Sequence, residues 1–417
     1  MFNCAQWEPL CTRKSKITIY MNNFYLQELI EETQNRGGGL ILNYEDRPAV
    51  VVLTVEKYNT LLQNQEPSAM ADGKTESQEM QVSNETQPEI PQAQPPKKVL
   101  VTGGAGYIGG HLVRELIKQD YEVVVLDNLS SGRRENLDPQ ALFVEGDLAD
   151  QNLLRDIFAT EKFEAVFHMA ASLEVEESVR EPEKYFRNNV LNTANLLNAM
   201  NEAGVKKIIF SSTAAIYGDA AEVPISESAP LHPNNPYGSS KLLAERTIKY
   251  YCEYLGFSAV VFRYFNACGF DAEAKILPTH QSHLIYNVMQ VAKGEKASLT
   301  VFGNDYPTFD GTGVRDYIHV LDIALPHIEA LKQMKSENKY EVYNIGTGVG
   351  LSVAQIVNGA AEILNKIIPM DISPRRPGDS AVTIADNTKL VNGLGYRPRF
   401  SDLDTIISTS WEVFKNI

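Results

Sequence analysis

The sequence predicts an α/β protein built on a doubly wound parallel sheet, with a smaller C-terminal α/β lobe and a small N-terminal α+β module. A glycine-rich turn lies between an apolar strand and a helix near residue 100, and further apolar strands alternate with amphipathic helices after it. A stretch rich in Gln, Glu, Ser, Thr and Pro precedes this body. We therefore expect a module at 1–64, a disordered acidic linker at 65–96 and a body at 97–417, divided into a core at about 97–265 and a lobe at about 266–417.

Composition excludes several classes of protein. The chain has 417 residues, with 38 basic and 53 acidic side chains and a net charge of −15, which argues against a general binder of nucleic acid or anionic membranes. Its four cysteines form no CxxC pair, so neither a disulfide scaffold nor a metal site is expected. We see no apolar run long enough to span a membrane and no signal-peptide core. These features predict a soluble cytoplasmic protein.

The N-terminal module has its own pattern. NNFYLQELIEETQNRGGG predicts a helix that the glycines end, LILNYEDRPAVVVLTV predicts two strands about a turn at Glu45–Pro48, and VEKYNTLLQ predicts a closing helix. This order, and especially RPAVVVLTVEKYNTLLQ, resembles the Phd/YefM antitoxin family. The resemblance implies a small DNA-binding dimer whose tail wraps a toxin. A dimerisation or protein-docking appendage is the alternative, so the partner of this module is left open between nucleic acid and protein.

The body opens with KKVLVTGGAGYIGGHLVRELIKQDYEVVVLDN, which predicts a βαβ unit. Gly103, Gly106 and Gly109 stand between the first strand and the helix, where glycines permit a tight turn and the helix N-terminus offers N–H groups to a pyrophosphate. Asp127 ends the second strand, where its carboxylate can accept hydrogen bonds from a ribose. A 2′-phosphate would repel that carboxylate, so the pattern predicts a Rossmann-like site for NAD and not NADP.

The GxxGxxG spacing followed by an acidic strand end resembles the extended short-chain dehydrogenases. Since such sheets bind their ligand at the carboxyl ends of the strands, later strand ends should supply further contacts. The resemblance implies that the cofactor is also bound by Tyr107, Ile108, Asn128, Asp147, Leu148, Met169, Ala170, Ala171, Asn188, Tyr237, Lys241 and Phe265.

A second motif carries the reactive groups. Tyr237 and Lys241 stand at i and i+4 of a predicted helix, so the phenol and the ammonium share one face. A free tyrosine, with a pKa of about 10, is a poor base at neutral pH, and a nearby Lys⁺ together with NAD⁺ would lower that pKa. Thr213, at the end of the FSST strand, is placed to hydrogen-bond the reacting hydroxyl and relay its proton to Tyr237.

TGGAGYIG, DNLSSG, FSSTAAIYG, NPYGSSK, FRYFNACG and FGNDYPTFDGTGVRDYIHV together resemble the UDP-glucose 4-epimerase family over residues 97–417. The resemblance implies that NAD stays bound, that Tyr237 deprotonates the sugar 4-hydroxyl while hydride leaves C4, and that the 4-keto sugar rotates before hydride returns. The related 4,6-dehydratases carry an acid pair where this chain has Ala214 and Ala215. Neither alanine can transfer a proton, so dehydration is disfavoured.

The same resemblance places the nucleotide-sugar site mainly in the C-terminal third. Guanidinium groups would grip the diphosphate, and Asp379 would accept from a ribose hydroxyl. With Thr213, the implied substrate residues are Asn266, His283, Leu284, Thr300, Val301, Phe302, Arg315, Arg376, Asp379 and Thr383. Because Thr383 is small where some members carry a bulky aromatic residue, we hypothesise that UDP-N-acetylhexosamines are accepted alongside UDP-galactose.

Two departures and one further implication concern the neighbourhood of the site. Leu173 stands where many members have a lysine near the cofactor phosphates, so one ionic contact to NAD is missing. Cys268 in FNACG is placed beside the active site.

YFRNNVLNTANLLNAMNEAG and SSKLLAERTIKYYCEYLG predict two long amphipathic helices. In the family, one such pair from each subunit forms a four-helix interface, which implies a homodimer.

Two alternatives remain at this stage. One is epimerisation of another UDP-sugar, such as a UDP-pentose or a UDP-uronate, which the pattern does not separate from the galactose reaction. The other is a cofactor-sensing protein that binds DNA or a protein partner. The presence of Thr213, Tyr237 and Lys241 argues against the second, because a sensor has no need of a base.

Overall fold

The computed structural model describes residues 40–44, 47–52, 97–271, 273–274, 276, 283–334, 339–376 and 379–416. In the N-terminal module, β1 (Leu40–Tyr44) pairs antiparallel with β2 (Arg47–Val52). The predicted strand pair is thus confirmed, although β2 begins at Arg47, inside the segment expected to turn. The two helices predicted for this module and the predicted linker lie outside the described residues.

The body alternates strands and helices from its first residues. Its strands are β3 (Lys98–Thr102), β4 (Glu122–Asp127), β5 (Leu142–Glu145), β6 (Ala165–His168), β7 (Lys207–Thr213), β8 (Ser258–Tyr264), β9 (Asn266–Cys268), β10 (Leu299–Phe302), β11 (Val314–Arg315), β12 (Tyr317–His319), β13 (Tyr340–Ile345), β14 (Leu351–Ser352), β15 (Met370–Ser373) and β16 (Val382–Thr383). Its helices are α1 (Tyr107–Ile117), α2 (Gln151–Thr160), α3 (Val175–Arg180), α4 (Pro182–Phe186), α5 (Asn192–Glu202), α6 (Pro236–Leu255), α7 (Leu284–Lys293), α8 (Val320–Gln333), α9 (Val353–Leu364), α10 (Thr388–Gly393) and α11 (Leu403–Phe414).

Seven parallel strands form the central sheet in the order β13-β8-β7-β6-β3-β4-β5. The chain adds β4 and β5 on one side of β3 and then crosses to add β6, β7 and β8 on the other. This reversal beside β3 confirms the predicted doubly wound sheet and marks the switch point where such sheets bind ligands. One strand of this sheet, β13, comes from the part of the chain that the sequence assigns mostly to the lobe.

The middle strand explains why the sheet has helices on both faces. Val99, Leu100 and Val101 of β3 are all fully buried. Because successive side chains of a strand point to opposite faces, Val99 and Val101 join one apolar cluster with α1 and α8, whereas Leu100 joins another with α2, α5 and α6. The continuous apolar run is therefore what a strand covered on both faces requires.

The described residues of the C-terminal lobe form small sheets and a helical layer. β10 pairs with β15, β11 lies between β14 and β16, and β9 pairs with β12. Helices α7, α9 and α11 pack their apolar sides into a third cluster. Among the helices of the described residues, none combines the length and apolar character needed to cross a membrane.

The two helices predicted beside the sheet differ in regularity. The segment after Pro182 is interrupted by a π turn, Arg187–Leu191, between α4 and α5. Inside that turn the Asn189 amide accepts from the Ser172 N–H at 2.8 Å and donates to the Ser172 carbonyl at 3.0 Å, which explains why the helix widens there. Helix α6 is regular, because Asn235 caps the Gly238 N–H at 2.8 Å and Pro236 follows the cap.

Candidate active site

A cavity of about 590 Å³ lies at the carboxyl ends of the central strands, around the switch point. Every residue that the sequence predicts for cofactor binding lines it: Gly103, Gly106, Tyr107, Ile108, Gly109, Asp127, Asn128, Asp147, Leu148, Met169, Ala170, Ala171, Asn188, Tyr237, Lys241 and Phe265. Thr213, Asn266 and His283, predicted to contact substrate, line the same cavity. The fold therefore brings together residues that lie far apart in the chain.

The glycine turn leaves a cradle that side chains would fill. Gly103 has a φ of +73°, and a Cβ there would stand 2.6 Å from the Ala170 nitrogen. A Cβ at Gly109 would stand 2.1 Å from the Gly103 carbonyl oxygen. Helix α1 begins after Gly106 without a side-chain cap, so its first turn presents N–H groups to an anion. These features fit a dinucleotide pyrophosphate.

Asp127 lies at the end of β4 with its carboxylate held from both sides. One oxygen accepts the Ala105 N–H at 3.0 Å and the other accepts the Leu129 N–H at 2.8 Å. Burial raises the pKa of Asp127, and these two backbone hydrogen bonds act in the opposite direction. Next to it, the Asn128 amide donates to Asp147 at 2.6 Å. The carboxylate keeps acceptor capacity for a ribose diol, and its charge disfavours a 2′-phosphate.

Thr213 and Tyr237 meet at the end of β7. The Thr213 oxygen accepts the Ala215 N–H at 3.1 Å, and its hydroxyl hydrogen-bonds the Tyr237 phenol. Burial raises the pKa of Tyr237 to about 12, and the Thr213 hydrogen bond opposes that rise. The ring of Tyr185 packs edge-on against Tyr237, with ring centres 6.4 Å apart. Tyr237, the base predicted from sequence, is therefore a phenol that is held in position and shielded from water.

Lys241 lies one turn further along α6 and is almost fully buried. Its ammonium donates to the Ser211 carbonyl at 2.6 Å and stands 4.6 Å above the Phe210 ring. Burial lowers the pKa of Lys241 to about 7. The ammonium is directed at Ser211, and burial is the largest influence on the pKa of Tyr237. The lowering of that pKa that the sequence predicts from Lys241 together with NAD⁺ stays a prediction.

A second group of predicted residues gathers in the lobe. Arg376 stacks its guanidinium 3.8 Å from the centre of the Phe302 ring, and Arg315 lies 3.9 Å from the Asp379 carboxylate. Thr383 is half-buried and pairs with Arg315 across β16 and β11. The two arginines, an acceptor and an aromatic face are thus assembled as a nucleotide diphosphate would need.

One of the contacts between this lobe group and the cavity is made by Arg376. Arg376 lies 3.6 Å from Glu176 of α3, and the neighbouring Glu174 and Glu177 line the cavity. The remaining three predicted substrate residues lie apart from the lining. Leu284 and Val301 pack into the apolar cluster of the lobe, and Thr300 is exposed on β10. Val301 can therefore reach a ligand only through its main chain.

Several lining residues escaped the sequence reasoning. Lys184 donates to Glu177 at 2.6 Å, and Tyr264 donates to the buried His327 at 2.6 Å. Leu173, which stands where many family members have a lysine, lines the cavity and is 38% exposed. Cys268 is buried in the apolar cluster of the lobe and follows Ala267 of the cavity lining. Within the described residues, no group of three or more His, Cys, Asp or Glu side chains could hold a metal ion.

Comparison with known proteins gives a consistent result. Residues 99–346 match the NAD dependent epimerase/dehydratase family. The chain is 44% identical over 320 residues to UDP-glucose 4-epimerase of Lacticaseibacillus casei, an alignment that covers 76% of this chain and 97% of that protein. The family match lies outside residues 1–64, whose resemblance to antitoxins stays a prediction.

Solved structures agree with this match. The UDP-glucose 4-epimerase of Brucella ovis, crystallised with NAD, has a TM-score of 0.73 and 41% identity over 76% of this chain and 98% of that chain. The UDP-Glc/GlcNAc 4-epimerase of Campylobacter jejuni has a TM-score of 0.66 and 37% identity over 77% of this chain and 100% of that chain. The chain therefore belongs to the NAD dependent epimerase/dehydratase family and, within it, to the UDP-glucose 4-epimerases.

Proposed function

We propose that this enzyme interconverts UDP-galactose and UDP-glucose in the cavity at the switch point, with NAD as its resident cofactor. One observation carries the proposal: a phenol hydrogen-bonded by a hydroxyl, Tyr237 by Thr213, lies in the same cavity as the glycine cradle and Asp127. A base beside a dinucleotide site is the combination that oxidation of a sugar hydroxyl needs.

The chain's own residues hold the cofactor. The glycine cradle and the first turn of α1 receive the pyrophosphate, and Asp127 accepts from the adenosine ribose. We infer that Asp147 and Leu148 flank the adenine, that Ala170 and Ala171 line the middle of the dinucleotide, and that the remaining lining residues enclose it. NAD supplies a hydride acceptor and, in its oxidised form, a positive charge.

Tyr237 takes the proton of the sugar 4-hydroxyl in this proposal. Thr213 orients the phenol and bridges it to the substrate hydroxyl. At a pKa of about 12 the phenol alone would hold its proton at neutral pH, so the reaction depends on positive charge nearby, from Lys241 and from the oxidised nicotinamide. The same groups return the proton after the 4-keto sugar has turned. Dehydration is disfavoured, because Ala214 and Ala215 supply no acid.

The nucleotide part of the substrate would be held by the lobe. Asn266 and His283 line the cavity and would contact the sugar and diphosphate, while Arg315 and Arg376 would pair with the diphosphate oxygens. Asp379 would accept from the uridine ribose. The remaining family positions, Leu284, Thr300, Val301, Phe302 and Thr383, would enclose the uracil and the sugar, with Val301 acting through its main chain.

A second activity is favoured by one residue. Thr383 is half-buried beside Arg315 and carries a small side chain. We therefore infer that the enzyme also accepts UDP-N-acetylhexosamines, whose C2 substituent needs the space that a bulky residue would fill. A related epimerase from Campylobacter jejuni is named for both UDP-Glc and UDP-GlcNAc.

Turnover of UDP-galactose tests the principal proposal. Purified full-length protein is assayed without added NAD, alongside Tyr237→Phe and the control Tyr250→Phe, which changes an exposed tyrosine of the same helix. We expect UDP-glucose from the wild type and from the control, and loss of at least about 10³-fold in kcat for Tyr237→Phe. The wild type could instead be inactive with UDP-galactose, both with and without added NAD, and turn over a UDP-pentose or a UDP-uronate. That result would replace the substrate in this proposal.

We further propose a homodimer and a three-part chain. The exposed side of α6 carries Leu243, Tyr250 and Tyr254, an apolar surface that a second copy would cover. The division into a module at 1–64, a linker at 65–96 and an enzyme at 97–417 rests on composition. Limited proteolysis of the full chain tests it, since cleavage should begin within 65–96.

A further inference from the structure

Glu245 and Arg263 form an ion pair deep inside the protein. Their side chains are 2% and 5% exposed, and two hydrogen bonds of 2.8 Å and 3.1 Å join them. Taking two charges out of water is costly, and an apolar pair of similar volume often stabilises a protein as well or better. Stability alone therefore does not account for the pair, and the epimerase mechanism as described makes no use of it.

The pair belongs to the row of side chains that carries the reaction. Helix α6 presents three of them one turn apart: Tyr237, Lys241 and Glu245. The last three residues of β7 each hold one member of this row. The Ser211 carbonyl accepts from Lys241, the Ser212 hydroxyl donates to Glu245, and Thr213 hydrogen-bonds Tyr237. Glu245 thus anchors α6 to β7 through a side-chain contact, as Tyr237 and Lys241 do.

Lys241 lacks a carboxylate partner within the described residues. Its ammonium contacts the Ser211 carbonyl and the Phe210 ring, which are neutral groups. Burial lowers the pKa of Lys241 to about 7, and the charge of Glu245 acts in the opposite direction. Arg263 clamps that carboxylate with two hydrogen bonds. A lysine in so dry a place stays charged only if an anion is held near it.

We propose that Glu245 is a positioning residue of the epimerase reaction: clamped by Arg263 and Ser212, its carboxylate supplies the negative charge that keeps Lys241 cationic beside the reacting phenol. This inference rests on the proposed function, because a cationic lysine matters to turnover only where Tyr237 acts as a base. Glu245 touches neither substrate nor cofactor in this assignment and acts through Lys241.

The other titratable groups around the row do not supply this charge. From β6, His168 faces Lys241, but burial lowers the pKa of His168 to about 3, so it is neutral. From β13, Tyr340 donates to Glu245 at 3.5 Å, and burial raises the pKa of Tyr340. After β7, the Tyr217 oxygen accepts a hydrogen bond from Arg263 at 2.9 Å, and burial raises the pKa of Tyr217 to about 12. Both phenols stay protonated at neutral pH.

A pH profile of kcat for UDP-galactose separates charge from shape. The profile is measured on the full chain for the wild type, Glu245→Gln, Glu245→Asp and the control Glu253→Gln, an exposed glutamate of the same helix. Without the carboxylate Lys241 loses its proton at lower pH, so the alkaline limit of kcat should move down by about one pH unit in Glu245→Gln. Glu245→Asp keeps the charge and should keep the wild-type midpoint even if kcat falls.

The outcomes are distinct. A profile that is scaled down at every pH with unchanged midpoints would show that Glu245 only packs, and the proposal would be wrong. If Glu245→Gln does not fold, the double variant Glu245→Gln/Arg263→Met leaves no charge unpaired and should show a downward shift too, reduced because the Arg263 charge is lost as well. An inactive wild type that Tyr237→Phe does not alter would instead contradict the proposed function.

Discussion

The Thr213 hydroxyl forms a hydrogen bond with the Tyr237 phenol. Its oxygen also accepts the Ala215 N–H at 3.1 Å. A donated hydrogen bond favours the phenolate, so Thr213 acts against the burial that raises the pKa of Tyr237 to about 12. The hydroxyl also defines a path by which the proton of a substrate hydroxyl can reach the phenol.

Removal of that hydroxyl should slow the chemistry more than it weakens substrate binding. We expect Thr213→Ala to lower kcat about 10²-fold, because the phenol loses both its donor and its orientation. Thr213→Ser keeps the hydroxyl and is the matched control, with kcat expected within about threefold of the wild type. Steady-state turnover of UDP-galactose measures both, and equal kcat values for the two variants would contradict the relay.

Burial of Lys241 should be visible in stability. Its pKa is about 7 in the folded chain and about 10.4 in an unfolded one, so the unfolded chain binds more protons between these values and the free energy of unfolding should rise with pH across this range. In Lys241→Met this rise should be smaller, and the variant should be more stable than the wild type at pH 7 by about 1–3 kcal/mol. Urea unfolding at several pH values measures the difference. Lys249→Met, on the exposed side of α6, is the control and should unfold like the wild type.

Leu173 should limit how tightly NAD is held. Its side chain lines the cavity where a cation would face the cofactor phosphates. We expect Leu173→Lys to slow the loss of NAD about threefold to tenfold, because a partly exposed ion pair contributes about 1 kcal/mol. Dilution followed by measurement of remaining activity gives the rate of loss. Leu173→Met, which adds no charge, should behave as the wild type, and equal rates for the two variants would show that the site does not lack this cation.

Thr383 should decide whether an N-acetyl group is tolerated. In Thr383→Tyr the larger ring should reduce kcat/KM for UDP-N-acetylglucosamine at least about tenfold relative to that for UDP-galactose. Thr383→Ser keeps the space and should keep the wild-type ratio. Both substrates are measured on the same preparation. A wild type that turns over UDP-galactose alone would show that the space at Thr383 is not sufficient.

The apolar side of α6 should hold two copies together. Tyr250 and Tyr254 are 60% and 76% exposed and stack on each other, with Leu243 two turns away on the same side. We expect Tyr254→Lys to convert the dimer into a monomer, because it places a charge in a surface that would be buried. Light scattering coupled to gel filtration measures the mass. The neighbouring Glu253→Lys replaces one charge by another and should leave the dimer intact.

The parts of the site that the sequence predicts are those with local causes. Gly103, Gly106 and Gly109 follow from a turn that must approach a ligand closely, and Asp127 follows from the strand that comes next. Tyr237 lies one helical turn from Lys241, so their common face could be read from spacing alone. The sheet order could be anticipated for the same reason, because each βαβ unit is a short, right-handed and locally determined structure.

The parts that sequence reasoning missed depend on packing between distant segments. Glu245 meets Arg263 only because α6 lies against β8, and Tyr264 meets His327 only because α8 lies against the same sheet. The burial that raises the pKa of Tyr237 is likewise a property of the whole fold and not of a local pattern. No periodicity in the chain indicates such pairs, and the π turn at 187–191 likewise depends on a distant serine.

The position of β13 bears on how this chain is made. It is a neighbour of β8 in the central sheet, yet residues 265–339 are synthesised between the two strands. A growing chain that has completed β8 therefore cannot close its sheet until residue 345 has left the ribosome, by which time much of the lobe has already emerged. Because pairing across so long a segment must overcome loop-closure entropy, the nascent enzyme should expose this edge of β8 until β13 has emerged, and we expect a chaperone to act on this edge.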